Sequence, residues 1–261
     1  MYETIITEIR GKSGWIILNR EERRNSMNPV MLRELLTAFK EFEDNREVIS
    51  LVLTGAGDKA FCAGMDLGGG EAMQLGPIDR HELQRVFISL LKGIKELKKP
   101  IVARVQGLAL GGGLGLMSAC DIAIAAEDAQ FGTPEINLGL FPYIIMATLM
   151  RNARSSKQLL ELMLTGERIS AAEACEIGFI NRFVVRDQLD QSVEEMTRKL
   201  NGKSPAILRL GRRAFYTMRD LDYEHAMEYL SGMLALNMQA EDMIEGVSAF
   251  MEKREPNWQG K

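Results

Sequence analysis

The chain has 261 residues, enough to bury a full core as one large domain or as a core with an appendage. Hydrophobic residues are 46% and charged residues 26%, the balance of an ordinary soluble globular protein. A net charge of −4 excludes a polyanion binder as the first expectation, although Arg23-Arg24 and Arg212-Arg213 are local basic pairs.

The first part of the chain alternates short apolar runs with amphipathic stretches. Thr4–Ile9 and Trp15–Leu18 predict strands around a Gly11–Gly14 turn. Pro29 opens a helix in which Met31, Leu35, Phe39 and Phe42 recur at helical spacing. The continuous apolar run Val48–Thr54 predicts a buried strand. His81–Leu97 predicts a helix with Leu83, Val86, Phe87, Leu90, Leu91 and Ile94 on one face, stopped by Pro100. Ile101–Val105 and Ile122–Ala125 follow as strands. Glycine-rich turns come after strands, and the units recur at about fifty residues, which fits ββα units stacked as a spiral. From about residue 186 the strands stop, and Gln188–Leu200, Pro205–Met218, Tyr223–Met238 and Glu241–Lys253 predict four helices. The expected division is a core over residues 1–187 and a helical region over 188–261.

The opening MYETIITEIRGKSGW has no basic stretch followed by an apolar one, so no signal peptide is expected. No apolar run reaches the length of a membrane span. Cys62, Cys120 and Cys175 are odd in number and widely spaced, which suits a reducing, cytoplasmic setting. They read as small core residues, and no metal site is expected.

Two glycine-rich segments follow predicted strands: Lys59-Ala-Phe-Cys-Ala-Gly-Met-Asp-Leu67 and Gly107-Leu-Ala-Leu-Gly-Gly-Gly-Leu-Gly115. The second runs into an apolar helical stretch. Glycines allow close backbone approach, and a helix N-terminus leaves N–H groups unpaired. Together these can hold a developing oxyanion. Tight packing and a phosphate loop are the other readings. The absence of GKS or GKT disfavours a P-loop, and the glycines come too late for a dinucleotide fold. Glu135 follows Pro134 between Gly132 and Gly139. It is either a solvated turn residue or, if buried, a carboxyl of raised pKa able to shuttle a proton.

The ordered segments KAFCAGMDL, GLALGGGLGL, CDIAIA, AQFGTPEINLGL and LTGERISAAEACEIGFINRFV resemble the enoyl-CoA hydratase/isomerase, or crotonase, superfamily. The likeness runs from Asn19-Arg20 to Arg254. It implies an α/β fold, a crotonase-like spiral of ββα repeats with a C-terminal helical trimerisation region. It implies a homotrimer or a dimer of trimers acting on an acyl-CoA substrate, with no cofactor beyond coenzyme A itself. By motif, the oxyanion N–H groups are those of Ala63 and Gly112, and Glu135 is the acid/base. Coenzyme A is held near Arg23, Arg24, Ala63, Met65, Asp66 and Leu67. Phe250 and Lys253 come from a neighbouring subunit, or else form an apolar face with one solvated charge.

The chain departs from that pattern in two places. Family hydratases use two glutamates, and Gly115 stands where one of them would be. A Δ3,Δ2-enoyl-CoA isomerase needs a single base, which Glu135 supplies. Phe141-Pro-Tyr-Ile-Ile-Met146 replaces a glycine-rich loop. Tyr143 sits where some members carry a catalytic acid, and it reads either as a proton donor or as a pocket wall. Ile144, Ile145 and Met146 are expected to line the acyl pocket. Isomerisation is therefore expected. Hydration, decarboxylation, thioester hydrolysis and coenzyme A binding without turnover are the alternatives.

Overall fold

Residues 2–66 and 76–261 are described by the computed structural model. β1 (Ile5–Arg10) and β2 (Ser13–Leu18) form a hairpin whose turn uses Gly11 at φ +60°. α1 (Pro29–Asp44) starts where the Asn28 side chain accepts the Met31 N–H at 2.8 Å, and it buries Met31, Leu32, Leu35 and Phe39. A two-strand-then-helix pattern then occurs three times. β3 (Ser50–Gly55) and β4 (Ala60–Cys62) precede α2 (Pro77–Glu96). β5 (Ile101–Val105) and β6 (Leu108–Leu110) precede α3 (Gly112–Ala119). β7 (Ile122–Ala126) and β8 (Gln130–Gly132) precede a 3-10 turn at Pro134–Leu138 and α4 (Tyr143–Asn152). α5 (Ser156–Thr165), β9 (Arg168–Ser170), α6 (Ala171–Ile177) and β10 (Arg182–Val184) come next. The chain ends in α7 (Leu189–Asn201), α8 (Pro205–Met218), α9 (Tyr223–Met238) and α10 (Glu241–Glu252).

The first strand of each pair enters a six-stranded sheet of order β1-β2-β3-β5-β7-β10, parallel except for the hairpin. The second enters a four-stranded sheet of order β4-β6-β8-β9. This is the expected alternation, but the repeat is uneven. The first strands begin at Ser50, Ile101 and Ile122, so the second unit is far shorter than the roughly fifty residues expected.

Period-two alternation places these strands between two apolar layers. Leu51, Leu53, Ile101, Ala103, Val105, Ala123 and Ala125 join the main core with Phe61, Phe131 and α1. Val52, Val102, Ile124 and Ala126 face the other way, onto Trp15 and onto Leu189 and Val193 of α7. Burial on both faces is why these strands read as continuous apolar runs. It also makes α7 a cover of the sheet.

α8 is fastened to the core by a buried clasp. The Arg212 guanidinium donates to both Asp121 carboxylate oxygens, at 3.0 and 2.8 Å, and to the carbonyls of Ile94, Lys95 and Leu97 at the end of α2. Tyr216 donates to Asp121 at 2.6 Å, and Asp121 also accepts the Ile101 N–H at 2.7 Å. The Arg212-Arg213 pair is thus no surface basic patch, because Arg212 is buried. None of the described helices is long and apolar enough to cross a membrane.

Candidate active site

Three chain segments meet around Glu135. The first is the 3-10 turn at Pro134–Leu138, where Pro134 pre-sets the entry and Gly139, at φ +72°, closes the exit. Thr133 beneath it is fully buried, with its hydroxyl donating to the Leu162 carbonyl at 3.1 Å. The turn holds the Glu135 carboxylate over Gly111. A Cβ on Gly111 would lie 2.7 Å from Glu135 Oε1, and Gly111 itself sits at φ +50°. Glycine is required there on both counts. Glu135 Oε2 is buried with no hydrogen-bond partner among the described residues. Burial pushes the Glu135 carboxyl above the ordinary glutamate range, against a smaller opposing effect from its own backbone N–H. A carboxylate left partnerless in apolar surroundings is a base waiting for a proton.

The second segment is the start of α3. Gly112 is its first residue and Gly111 gives no side-chain cap, so the Gly112 N–H is one of the unpaired donors of a helix N-terminus. Gly113 lies flat on β4: a Cβ there would be 2.1 Å from the Cys62 carbonyl oxygen.

The third segment is Ala63–Asp66, and here the structure corrects one expectation. The Ala63 N–H donates to the Arg24 carbonyl at 3.0 Å, so it is not free to receive an oxyanion. Two residues on, Met65 pairs with Met27 in an isolated parallel bridge. Met27 donates to the Gly64 carbonyl and accepts the Asp66 N–H, both at 2.8 Å. Backbone groups alternate sides along an extended segment. The Met65 N–H therefore points away from Met27, and it makes no hydrogen bond among the described residues. Its nitrogen lies close to α3: a Cβ on Gly112 would be 3.6 Å from it. Among the described residues, the free donors here are Met65 and Gly112. Sequence reasoning had Met65 in the right loop with a different duty, because the direction of its N–H is set by pairing with a residue on another segment.

The turn at Glu21–Arg23 leaves Arg23 and Arg24 exposed, with the Arg24 carbonyl against the Ala63 N–H. Leu67 lies outside the described residues. Phe250 and Lys253 sit on and just after α10, which packs on α8 and α9, away from these three segments. Phe250 is 81% exposed and borders an apolar groove of about 830 Å³ with Phe215, Val247 and Trp258. The histidines stay outside the site. His81 is exposed on α2, and His225 pairs with the Asp222 cap of α9 at 2.6 Å. Cys62 and Cys120 are buried core thiols, and burial pushes Cys62 up to about 12.

Further along α3, at Gly115, the space is closed. Gly115 faces α4, and a Cβ there would be 2.2 Å from Ile145 Cγ2 and 2.8 Å from Ile145 Cβ. Ile145 is buried, while Ile144 and Met146 are partly buried against the main core. Tyr143 stands at the start of α4, 71% exposed, its ring 5.3 Å from that of Phe141. In this single chain it is a surface aromatic.

Comparisons with known proteins cover nearly the whole chain. A sequence profile of the enoyl-CoA hydratase/isomerase family matches residues 10–261. The short-chain-enoyl-CoA hydratase of Clostridium acetobutylicum is 30% identical over 250 residues, covering 96% of this chain and 95% of that protein. The crotonyl-CoA hydratase of Syntrophomonas wolfei is 32% identical over 260 residues, 100% of this chain and 99% of that one. The crystal structure of an enoyl-CoA hydratase from Bacillus anthracis matches with a TM-score of 0.94 at 31% identity, over 99% of this chain and 100% of that one. A match that spans both sheets and the terminal helices covers every segment of the site, and the chain belongs to the enoyl-CoA hydratase/isomerase family.

Proposed function

We propose that this protein isomerises a 3-enoyl-CoA thioester to the 2-enoyl-CoA, with Glu135 as its one acid/base. The thioester oxygen accepts the N–H groups of Met65 and Gly112. Glu135 takes a proton from C2, and the electron pair moves into a dienolate whose charge rests on that oxygen. The same carboxyl then delivers the proton to C4, the double bond settles between C2 and C3, and Glu135 is ionised again. No resident cofactor or metal takes part in this scheme. Two oriented donors are worth a great deal here, since losing one costs about 3–4 kcal/mol in comparable sites.

The observation that carries the reading is the closed position at Gly115. Hydration calls for a second group to hold and activate water, and Ile145 occupies the space where a side chain from that helix position would stand. Hydration remains the second reading, favoured by the names of the relatives. Coenzyme A runs past Arg23, Arg24 and Met65–Asp66, and Ile144–Met146 bound the acyl side. Phe250 and Lys253 serve a neighbouring subunit of a homotrimer or dimer of trimers. The test is to assay 3-enoyl-CoA isomerisation and 2-enoyl-CoA hydration on one preparation, with calorimetry of acetoacetyl-CoA beside it. Isomerisation should be the faster reaction. Hydration at ordinary enzymatic rates with no isomerisation would reject the proposal, and no heat at millimolar ligand would reject the coenzyme A site.

A further inference from the structure

The Met65 N–H is useful only if its direction is held, and the structure contains a device that holds it. The two backbone bonds to Met27 fasten Met65 from one side. On the far side of that bridge lies Arg20, a residue the reaction scheme does not use. One guanidinium nitrogen donates to the Ser26 carbonyl at 2.7 Å and another to the Asp66 carboxylate at 2.7 Å. Ser26 and Asp66 flank the bridged pair Met27 and Met65, so the planar fork spans the same two segments one residue outside the bridge. The pair is largely shielded, with side chains only 16% and 9% exposed. Arg20 is itself anchored. Its N–H donates to Asn25 Oδ1 at 3.1 Å, and its carbonyl accepts the Asn25 N–H at 2.9 Å. Asn25 is fully buried at φ +55°, and its amide donates to the Ala56 and Ala60 carbonyls at 2.9 and 2.8 Å.

We propose that Arg20 is a positioning residue for the oxyanion site, its guanidinium bracing Asp66 against the Ser26 carbonyl so that the Met65 N–H stays aimed beside that of Gly112. The inference rests on the reading of Met65 and Gly112 as the oxyanion donors. A donor that slackens loses most where charge develops, so the defect belongs in kcat more than in ground-state affinity. Lysine is a point charge on a flexible stem and reaches one partner where the fork reaches two.

The experiment measures Arg20→Met, Arg20→Lys and Asp66→Asn, each checked for the wild-type circular dichroism spectrum. Kinetics give kcat and KM, calorimetry gives the Kd of free coenzyme A, and near-ultraviolet absorbance of bound acetoacetyl-CoA reports its enolate. Arg20→Met should lower kcat about 10- to 100-fold and weaken the enolate band, with the Kd of coenzyme A within about threefold of wild type. Arg20→Lys should recover part of both. Should Arg20→Met fail to fold, Asp66→Asn, which keeps an acceptor but removes the charge, should still lower kcat and the band together. A folded Arg20→Met protein with unchanged kcat and band overturns the inference. So does a loss confined to coenzyme A affinity, which would make Arg20 a ligand contact. Wild type without any enolate band would sink the oxyanion reading itself, and the brace with it.

Discussion

Gly115→Ala tests whether the space beside α3 is closed. In an open helix interior this change stabilises by about 1 kcal/mol, since alanine has less backbone freedom to lose than glycine. Here the added Cβ would meet Ile145 at 2.2 Å and 2.8 Å. Rotating Ile145 about χ1 moves Cγ2 but leaves its Cβ in place, and a β-branched residue in a helix has one strongly preferred rotamer. α3 and α4 must therefore move apart, and overpacking of this kind costs about 1–3 kcal/mol. After the propensity gain, the variant should lose roughly 1 kcal/mol. Ile145→Ala alone empties a buried position and should lose about 2–5 kcal/mol. In the Ile145→Ala background the Cγ2 contact is gone and only the Cβ contact at 2.8 Å remains, so Gly115→Ala should destabilise less there than in the wild type. Urea denaturation of the four proteins measures this difference as a coupling energy. If Gly115→Ala has the same effect in both backgrounds, Ile145 does not fill the space and the argument for a single carboxylate loses its support.

Glu135→Gln should cost at least about 10²-fold in turnover. It also has a stability signature. The folded-state pKa of Glu135 is raised, so the native state holds the proton more tightly than the unfolded chain. Its contribution is fully present below the ordinary glutamate value and is lost as pH rises through the folded value. The melting temperature of Glu135→Gln relative to wild type should therefore climb with pH across that window, and a gap independent of pH would contradict the burial argument. Gly111→Ala forces a side chain into φ +50° and against Glu135 Oε1, and should lose about 1–2 kcal/mol together with activity. Arg212→Met strips the clasp of every donor Arg212 supplies and should cost about 3–5 kcal/mol, the scale for breaking a buried ion pair, as read from thermal unfolding.

Much of the frame could be read from the residues. The strands at Leu51, Val102 and Ala123 announce themselves because both faces are buried, and Asn28 and Pro29 mark the start of α1. β4, β6 and β8 are three residues each, too short to show a period, so the second sheet was not visible. The turn residues around Glu135 left a solvated side chain and a buried base both open, and the family resemblance favoured the base. The donor at Met65 was not legible, because its direction depends on Met27, a contact distant in sequence. Arg20 and Arg212 look like solvated charges in a linear string, and only the fold buries them. The bulk of Ile145 was apparent, but that it closes the face of Gly115 follows from how α3 and α4 pack.

The central claim is that one carboxylate carries a proton between two carbons of an enolised thioester. The most direct test is to follow a 3-enoyl-CoA in deuterium oxide by proton NMR. The account predicts conversion to the 2-enoyl-CoA with part of the C2 hydrogen carried to C4, lost at least about 10²-fold in Glu135→Gln. Turnover undiminished in Glu135→Gln, or 3-hydroxyacyl-CoA formed as fast as the 2-enoyl product, would contradict it.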